Sequence, residues 1–301
     1  MVFSTIHHSY AEIERYERSG RGGMTGRLSG VLGFPNVEYV RSIVRAVKYP
    51  HLLWPTLRVM VAGMRNTQRA MLAGVQRLLV LTAKERNDIL RDFGQVAEER
   101  FACVRNGVET PASEDQAGQN DLRDLDVCIV GRIEARKNQI AILRALDNLG
   151  VSGVFVGREN ANHRAYCNDF KKLIADSTSR YVGGLTHAET VRLMRRSRAH
   201  VSASWFEVSS LVDIEAYFAG CQVVSSRCGG THELLGEQAL YVDPGSIEDI
   251  EHAIRLVLER SKDGTSNARE RQSISLETWD DVGLQLAQIY GDVVGNAEQG
   301  K

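Results

Sequence analysis

The sequence has no Cys-x-x-Cys pair, no internal repeat and no marked excess of either charge. Its five cysteines, at 103, 128, 167, 221 and 228, are odd in number, which argues against a closed disulfide framework. Cys128 and Cys221 sit in or beside apolar runs, the pattern of buried free thiols in a reducing compartment. A net charge of -1 excludes a whole-molecule nucleic-acid binder. No apolar run approaches the ~20 residues of a spanning helix. The opening "MVFSTIHHSY" lacks the basic start and apolar core of a secretory leader, so a cytoplasmic location is expected. One further absence is local. From Tyr39 to Lys84 there are eight Arg or Lys residues and no Asp or Glu, so the remainder is acidic on balance.

What is present is an ordinary globular composition, 43% hydrophobic and 25% charged, over 301 residues, enough for two modest domains or one large one. From about residue 126 short apolar runs alternate with amphipathic segments. The runs are "DVCIVG" (126–131), "GVFVG" (153–157), "RYVGG" (180–184), "AHVSAS" (199–204), "CQVVSS" (221–226) and "ALYVDP" (239–244). Between them, "NQIAILRALDNLG" and "HAETVRLMRRS" carry apolar residues at helical spacing. The alternation predicts an α/β, doubly wound parallel sheet covered on both faces, with ligands bound where strands end and helices begin.

The first 109 residues are less regular. "MVFSTIH", "RLLVLT" and "FACVRNG" read as strands, and "TAKERNDILRDFG" as a helix capped by Thr82 and ended by Gly94. About seventy basic, partly helical residues separate the first two strands. "TPASEDQAGQN" (110–120) reads as a linker, and 275–294 as a final helix.

Three segments carry chemistry. In "VGRIEARKNQ", Arg132 and Lys137 flank a strand-to-helix turn, where unpaired amides and a positive dipole end suit a phosphate; two solvated cations beside Glu134 is the alternative. In "EVSSLVDIEAYFAG", Glu207 lies before a helix from Leu211 and Glu215 in its second turn, with Ser209 or Ser210 as N-cap and backbone amides facing a ligand. A carboxylate accepts two hydrogen bonds, matching sugar hydroxyls; surface charge is the plainer reading of either glutamate alone. In "CGGTHELLG", Gly229 and Gly230 permit a tight turn and close backbone approach, or only a turn with a capping acid. "DLD" (124–126) precedes its strand and is set aside as a metal motif.

In this order and spacing, the three segments with "ALYVDPGSIEDIEHAI" resemble the donor-binding domain of retaining glycosyltransferases of family 4 (group 1), with the GT-B fold. The resemblance runs over about residues 77 to 294. It implies that Arg132 and Lys137 hold a donor diphosphate, that Glu207 contacts the donor sugar, and that Glu215 binds the nucleotide ribose. Ser209, Ser210, Leu211, Gly229 and Gly230 complete the implied donor site, with no metal and no cofactor beyond a substrate such as a UDP- or GDP-sugar. His7 or His8, with strand alignment favouring His7, matches a catalytic histidine near the reacting sugar; an exposed loop histidine is the alternative. The family has glycine where Ser210 and Asn138 stand here.

The expected organisation is a partial, helix-rich acceptor-side domain over 1–109, a linker over 110–125, a donor-binding domain over 126–274 and a C-terminal helix over 275–301 that packs back on the first domain. The front end resembles a shortened version of the family's N-terminal domain. The implied activity is hexosyl transfer from a nucleotide diphosphate to a glycan or lipid-linked acceptor, with retention of configuration, impaired in this short form. A non-catalytic nucleotide-sugar-binding or partner protein, and a sugar-nucleotide epimerase, are the alternatives. The basic window 39–84 suits an anionic membrane surface on the inner face of the membrane, or else a packed helical pair with its cations in water.

Overall fold

The computed structural model describes residues 1–4, 6–21, 34–94, 96–108, 123–262 and 277–299. Residues 110–122 of the linker expected over 110–125 lie outside them. The chain forms two compact units, Met1–Arg105 with Asp280–Lys301, and Asn106–Trp279.

The first unit holds a three-stranded parallel sheet in the order β1 (Val2–Ser4), β2 (Arg77–Val80) and β3 (Phe101–Cys103), in register at Phe3–Leu78–Phe101. Its helices are α1 (Tyr10–Tyr16), α2 (Phe34–Lys48), α3 (Leu53–Ala62), α4 (Met64–Ala73) and α5 (Ala83–Phe93). The caps of α5 are those the sequence predicts. Thr82 accepts the Glu85 amide at 3.0 Å, and Gly94 at φ +90° ends the helix in a conformation that favours glycine. Leu72, Val75, Leu78, Val80, Ile89 and Phe93 form one core cluster. A second joins Leu79 and Val104 to Val282 on the C-terminal helix (Trp279–Gln299).

In the second unit six parallel strands are added: β4 (Leu125–Val130), β5 (Gly153–Val156), β6 (Arg180–Tyr181), β7 (Ser197–Val201), β8 (Gln222–Ser226) and β9 (Ala239–Val242). Their spatial order is β6-β5-β4-β7-β8-β9. Side chains alternate across the sheet because the strand period is two. Val127 and Ile129 face a cluster with Ile142, Leu146, Phe155 and Phe170, while Cys128 faces one with Met194, Tyr217 and Leu235. The helices are α6 (Gln139–Leu149), α7 (Arg164–Ala175), α8 (His187–Arg196), α9 (Leu211–Phe218), α10 (His232–Leu235) and α11 (Ile247–Lys262). The doubly wound α/β reading therefore holds.

Several strand limits differ from expectation: β1 and β3 stop at Ser4 and Cys103, short of His7 and Gly107, and in the second unit β6 and β7 differ most. The edge strand β6 spans two residues rather than reaching 184, since Gly183 at φ +75° turns the chain out of line. Strand β7 begins at Ser197, two residues before its apolar run, because Ser197 already pairs with Leu125. It ends at Val201, so Ser202 to Ser204 form part of the loop that follows.

Candidate functional site

The strand order reverses direction between β4 and β7, and the chains leaving these two strands diverge to opposite faces. That divergence opens a crevice at the carboxyl ends of an open parallel sheet, the position at which such sheets bind ligands. The segment after β4 carries Arg132, Arg136 and Lys137; the segment after β7 carries Glu207. The backbone here is tight. A Cβ on Gly157, at the end of β5, would stand 2.0 Å from the Gly131 carbonyl oxygen, so this crossing of two strand ends requires glycine.

After a short turn at Ala135–Lys137 the chain enters α6 through Asn138, which is left-handed at φ 61° and ψ 27°. It is the sole non-glycine residue of positive φ among the described residues. Asparagine tolerates this conformation better than most residues, so it can stand at a position that favours glycine. Its buried side-chain amide also donates to the Pro244 carbonyl at 2.8 Å, a bond glycine could not make.

The two cations differ in their surroundings. Arg132 is 65% exposed and 3.6 Å from Glu134. Lys137 donates to Glu207 Oε2 at 2.5 Å, and Arg136 donates to the same oxygen at 3.1 Å. Arg136 also donates to the Phe206 carbonyl at 3.1 Å and to Glu134 Oε1 at 2.9 Å, and its guanidinium lies over the Phe206 ring. Glu134, buried, accepts Asn160 Nδ2 at 2.6 Å. Burial pushes the Glu134 carboxyl up, but the Asn160 bond and the Arg136 and Arg132 charges together hold it below the usual value. Arg136 thus joins the loops after β4 and β7. Sequence reasoning passed over it, although it adjoins Lys137.

Glu207 precedes α9 and Glu215 lies in its second turn, as their spacing predicts. Ser210 is the N-cap by position, yet its hydroxyl makes no capping bond. With φ −90° and ψ 92°, its backbone needs no glycine. The Gly229–Gly230 turn runs beside this loop: the Glu207 amide donates to the Cys228 carbonyl at 3.0 Å, and the Gly230 amide to the Val208 carbonyl at 2.9 Å. Gly230 therefore acts here through loop pairing. Ser209 and Leu211 flank Ser210 at the start of α9.

Asp213, also missed, is fully buried at the centre of a polar cluster. His200 Nε2 lies 3.1 Å from its Oδ1, while the Ser202, Ser225 and Thr231 hydroxyls donate to its Oδ2 at 3.1, 2.5 and 3.3 Å. Burial raises its pKa, but the His200 bond and charge, with the serine hydroxyls, hold it below the usual value. Nearby Tyr241 is pushed up to about 12 by burial and then by the Asp213 charge. The signal for Asp213 was a carboxylate inside the apolar segment "LVDIEAYFAG", two residues from Glu215 and so on another face of the helix.

In the first unit His7 is mostly buried rather than exposed. Its Nε2 lies 2.8 Å from Asp92 Oδ2 and its ring packs edgewise on Tyr10 and tilted on Phe93. The His7 amide donates to Glu85 Oε1 at 2.6 Å, and the Leu81 amide to Glu85 Oε2 at 2.7 Å, so one carboxylate ties the segments following β1 and β2. The basic window runs from within α2 through α3, α4 and β2 to the first turn of α5. Val44, Val47, Trp54 and Val61 are exposed there, Val61 to 89%, as are Arg45, Lys48 and Arg58. Arg41 is instead paired with the buried Glu17, and Arg69 donates to the Phe93 carbonyl at 2.6 Å. Among the described residues no helix is long and apolar enough to cross a membrane, and no group of three or more His, Cys, Asp or Glu is placed to hold a metal ion.

The family model described as "Glycosyl transferases group 1" matches residues 112–273, more than half of the chain. Over 222 residues the chain is 27% identical to the glycogen synthase of Mycobacterium tuberculosis, covering 71% of this chain and 53% of that one. Over 274 residues it is 24% identical to the MMP alpha-(1->4)-mannosyltransferase of Mycolicibacterium hassiacum, covering 86% and 66%. The chain thus spans between half and two thirds of these relatives. Among solved structures, sucrose-phosphate synthase from Thermosynechococcus elongatus superposes with a TM-score of 0.63 at 20% identity, covering 77% of this chain and 62% of that one. Anabaena HepE in complex with UDP and glucose gives 0.57 at 17%, covering 72% and 64%. The fold is that of the GT-B glycosyltransferases.

Proposed function

The chain belongs to the group 1 glycosyl transferases, and on that footing we propose that its second unit binds a nucleotide-diphosphate sugar for transfer, with retention of configuration, to a glycan or lipid-linked acceptor. The observation that carries this reading is the convergence of Arg136 and Lys137 on Glu207 at the reversal point of the sheet, both cations lying within 3.1 Å of the same carboxylate oxygen.

Each side chain has a proposed part. Lys137 and Arg132 neutralise the diphosphate, whose negative charge grows as the sugar bond breaks, so their contribution is electrostatic preorganisation. Arrival of the diphosphate gives Lys137 a second anionic partner and releases Glu207 towards the sugar hydroxyls. Glu215 accepts the two ribose hydroxyls. Ser209, Ser210, Leu211 and Gly229 bring backbone close to the donor. His7, oriented by Asp92, is the proposed histidine for the reacting sugar. A UDP-sugar is a reasonable first probe, since HepE was solved with UDP and glucose.

The proposed location is the cytoplasm, with the first unit resting on an anionic membrane surface. Supporting this is the exposed band of α2 and α3, where Val44, Val47, Trp54 and Val61 stand among Arg45, Lys48 and Arg58. Exposed apolar side chains interleaved with cations fit the interfacial layer of anionic lipid.

The test is incubation with UDP-, GDP- and ADP-sugars, with and without candidate acceptors, followed by analysis of the product anomer. Transfer with retention supports the reading. Change of the free donor without acceptor would identify an epimerase, and donor binding without either product a non-catalytic binder.

A further inference from the structure

The Asp213 cluster has no part in the chemistry above, yet it gathers the segments around Glu215 and the Gly229–Gly230 turn. Its donors come from β7 (His200), the loop after β7 (Ser202), β8 (Ser225) and the turn following Gly230 (Thr231). Because the carboxylate accepts, His200 must present its Nε2–H, and each hydroxyl must turn its proton inward. An ionised carboxylate is tolerated at such depth only when donors surround it.

Helix α9 has eight residues, about two turns, and so takes its position from what it packs against. Ile214, Ala216 and Tyr217 press it onto the sheet, but apolar contact is non-directional and fixes rotation about the helix axis poorly. Four donors converging on one carboxylate fix that rotation. Glu215 follows two residues later, at about 200° around the helix, so any turn of Asp213 inward or outward is transmitted to Glu215. Thr231 meanwhile ties the Gly229–Gly230 turn to the same oxygen.

We propose that Asp213 is a positioning residue for the donor nucleotide, holding Glu215 and the Gly229–Gly230 turn in the register that ribose and diphosphate require. The inference rests on the ribose role proposed above for Glu215. It is tested by calorimetric titration with UDP, GDP and ADP, and by thermal melting, of Asp213→Asn, of the double variant Ser225→Ala/Thr231→Val, and of Val257→Ala. Val257 is 1% exposed, and its truncation destabilises the same unit away from the cluster. The expected result is nucleotide binding about tenfold weaker in Asp213→Asn and in the double variant, with the parent affinity kept in Val257→Ala at a comparable loss of melting temperature. The double variant carries the test if Asp213→Asn does not fold. Cluster variants that melt earlier yet bind like the parent, or an equal loss of affinity in Val257→Ala, would overturn the inference alone. A parent chain that binds none of the three nucleotides would overturn the functional reading and this inference with it.

Discussion

The Lys137 ammonium lies 2.5 Å from Glu207 Oε2, and the Arg136 guanidinium 3.1 Å from the same oxygen, so two cations share one carboxylate at the mouth of the crevice. On the proposed reading a bare nucleoside diphosphate competes with Glu207 for Lys137, whereas a nucleotide-sugar engages both residues. Glu207→Gln should therefore leave affinity for the diphosphate equal or higher and weaken the nucleotide-sugar by about 1.5 kcal/mol, the lower end for a bond to a charged group. Parallel titrations with UDP and UDP-glucose, or the GDP pair, check this. Equal losses for both ligands would mean that Glu207 does not meet the sugar.

Asn138 combines a left-handed backbone with a buried bond to the Pro244 carbonyl. Asn138→Gly should keep the left-handed backbone and lose the bond to Pro244, about 0.5–1.5 kcal/mol. Asn138→Ala should lose the same bond and incur a further cost of about 1–2 kcal/mol for the left-handed conformation. Urea unfolding of both variants measures the difference; equal stabilities would contradict the backbone argument.

Acid should weaken the first unit through Asp92. Burial pushes this carboxyl up, but the His7 bond, the Tyr10 amide and the charges of His7 and Arg91 hold it below its ordinary value. A carboxyl lowered by folding stabilises above its unfolded pKa and loses that contribution as pH falls through the folded one. Stability of the parent should therefore decline as pH falls below about 4, the usual aspartate range, more steeply than that of Asp92→Asn. Urea midpoints across that range test it, and parallel declines would remove Asp92 from the account.

The exposed band on α2 and α3 should bind anionic vesicles and release them with salt, each cation near the surface contributing about 1 kcal/mol. Arg45→Gln/Lys48→Gln/Arg58→Gln is the informative variant, since Arg41 and Arg69 are engaged within the unit. Flotation with phosphatidylserine-containing vesicles at low salt should separate it from the parent. Equal flotation would favour a packed helical surface with solvated cations.

How much of this was legible in the sequence follows from which signals are local. Alternating apolar runs gave the six strands of the second unit, and the Thr82 and Gly94 punctuation gave α5, because caps and periodicity depend on near neighbours. Limits were less readable where pairing decides them: Ser197 joins β7 by facing Leu125, which no local pattern shows. The Glu207–Glu215 spacing was readable as loop and second turn. That Lys137 and Arg136 both turn to Glu207 was not, since these residues are about seventy positions apart and meet through the strand order. Asp213 was visible as a carboxylate in an apolar helix, but its four donors come from segments that only the folded sheet assembles.

The most direct test of the central claim is nucleotide binding by the parent and by Glu215→Ala, measured by calorimetry with UDP, GDP and ADP and with the 2′-deoxy form of whichever binds. The account predicts that the parent binds at least one of the three and prefers it over its 2′-deoxy form. It predicts that Glu215→Ala, still folded, binds that nucleotide more weakly by about 1.5–3 kcal/mol and no longer distinguishes the deoxy form. A folded parent that binds none of them, or a Glu215→Ala variant of unchanged affinity and unchanged preference for the 2′-hydroxyl, would contradict it.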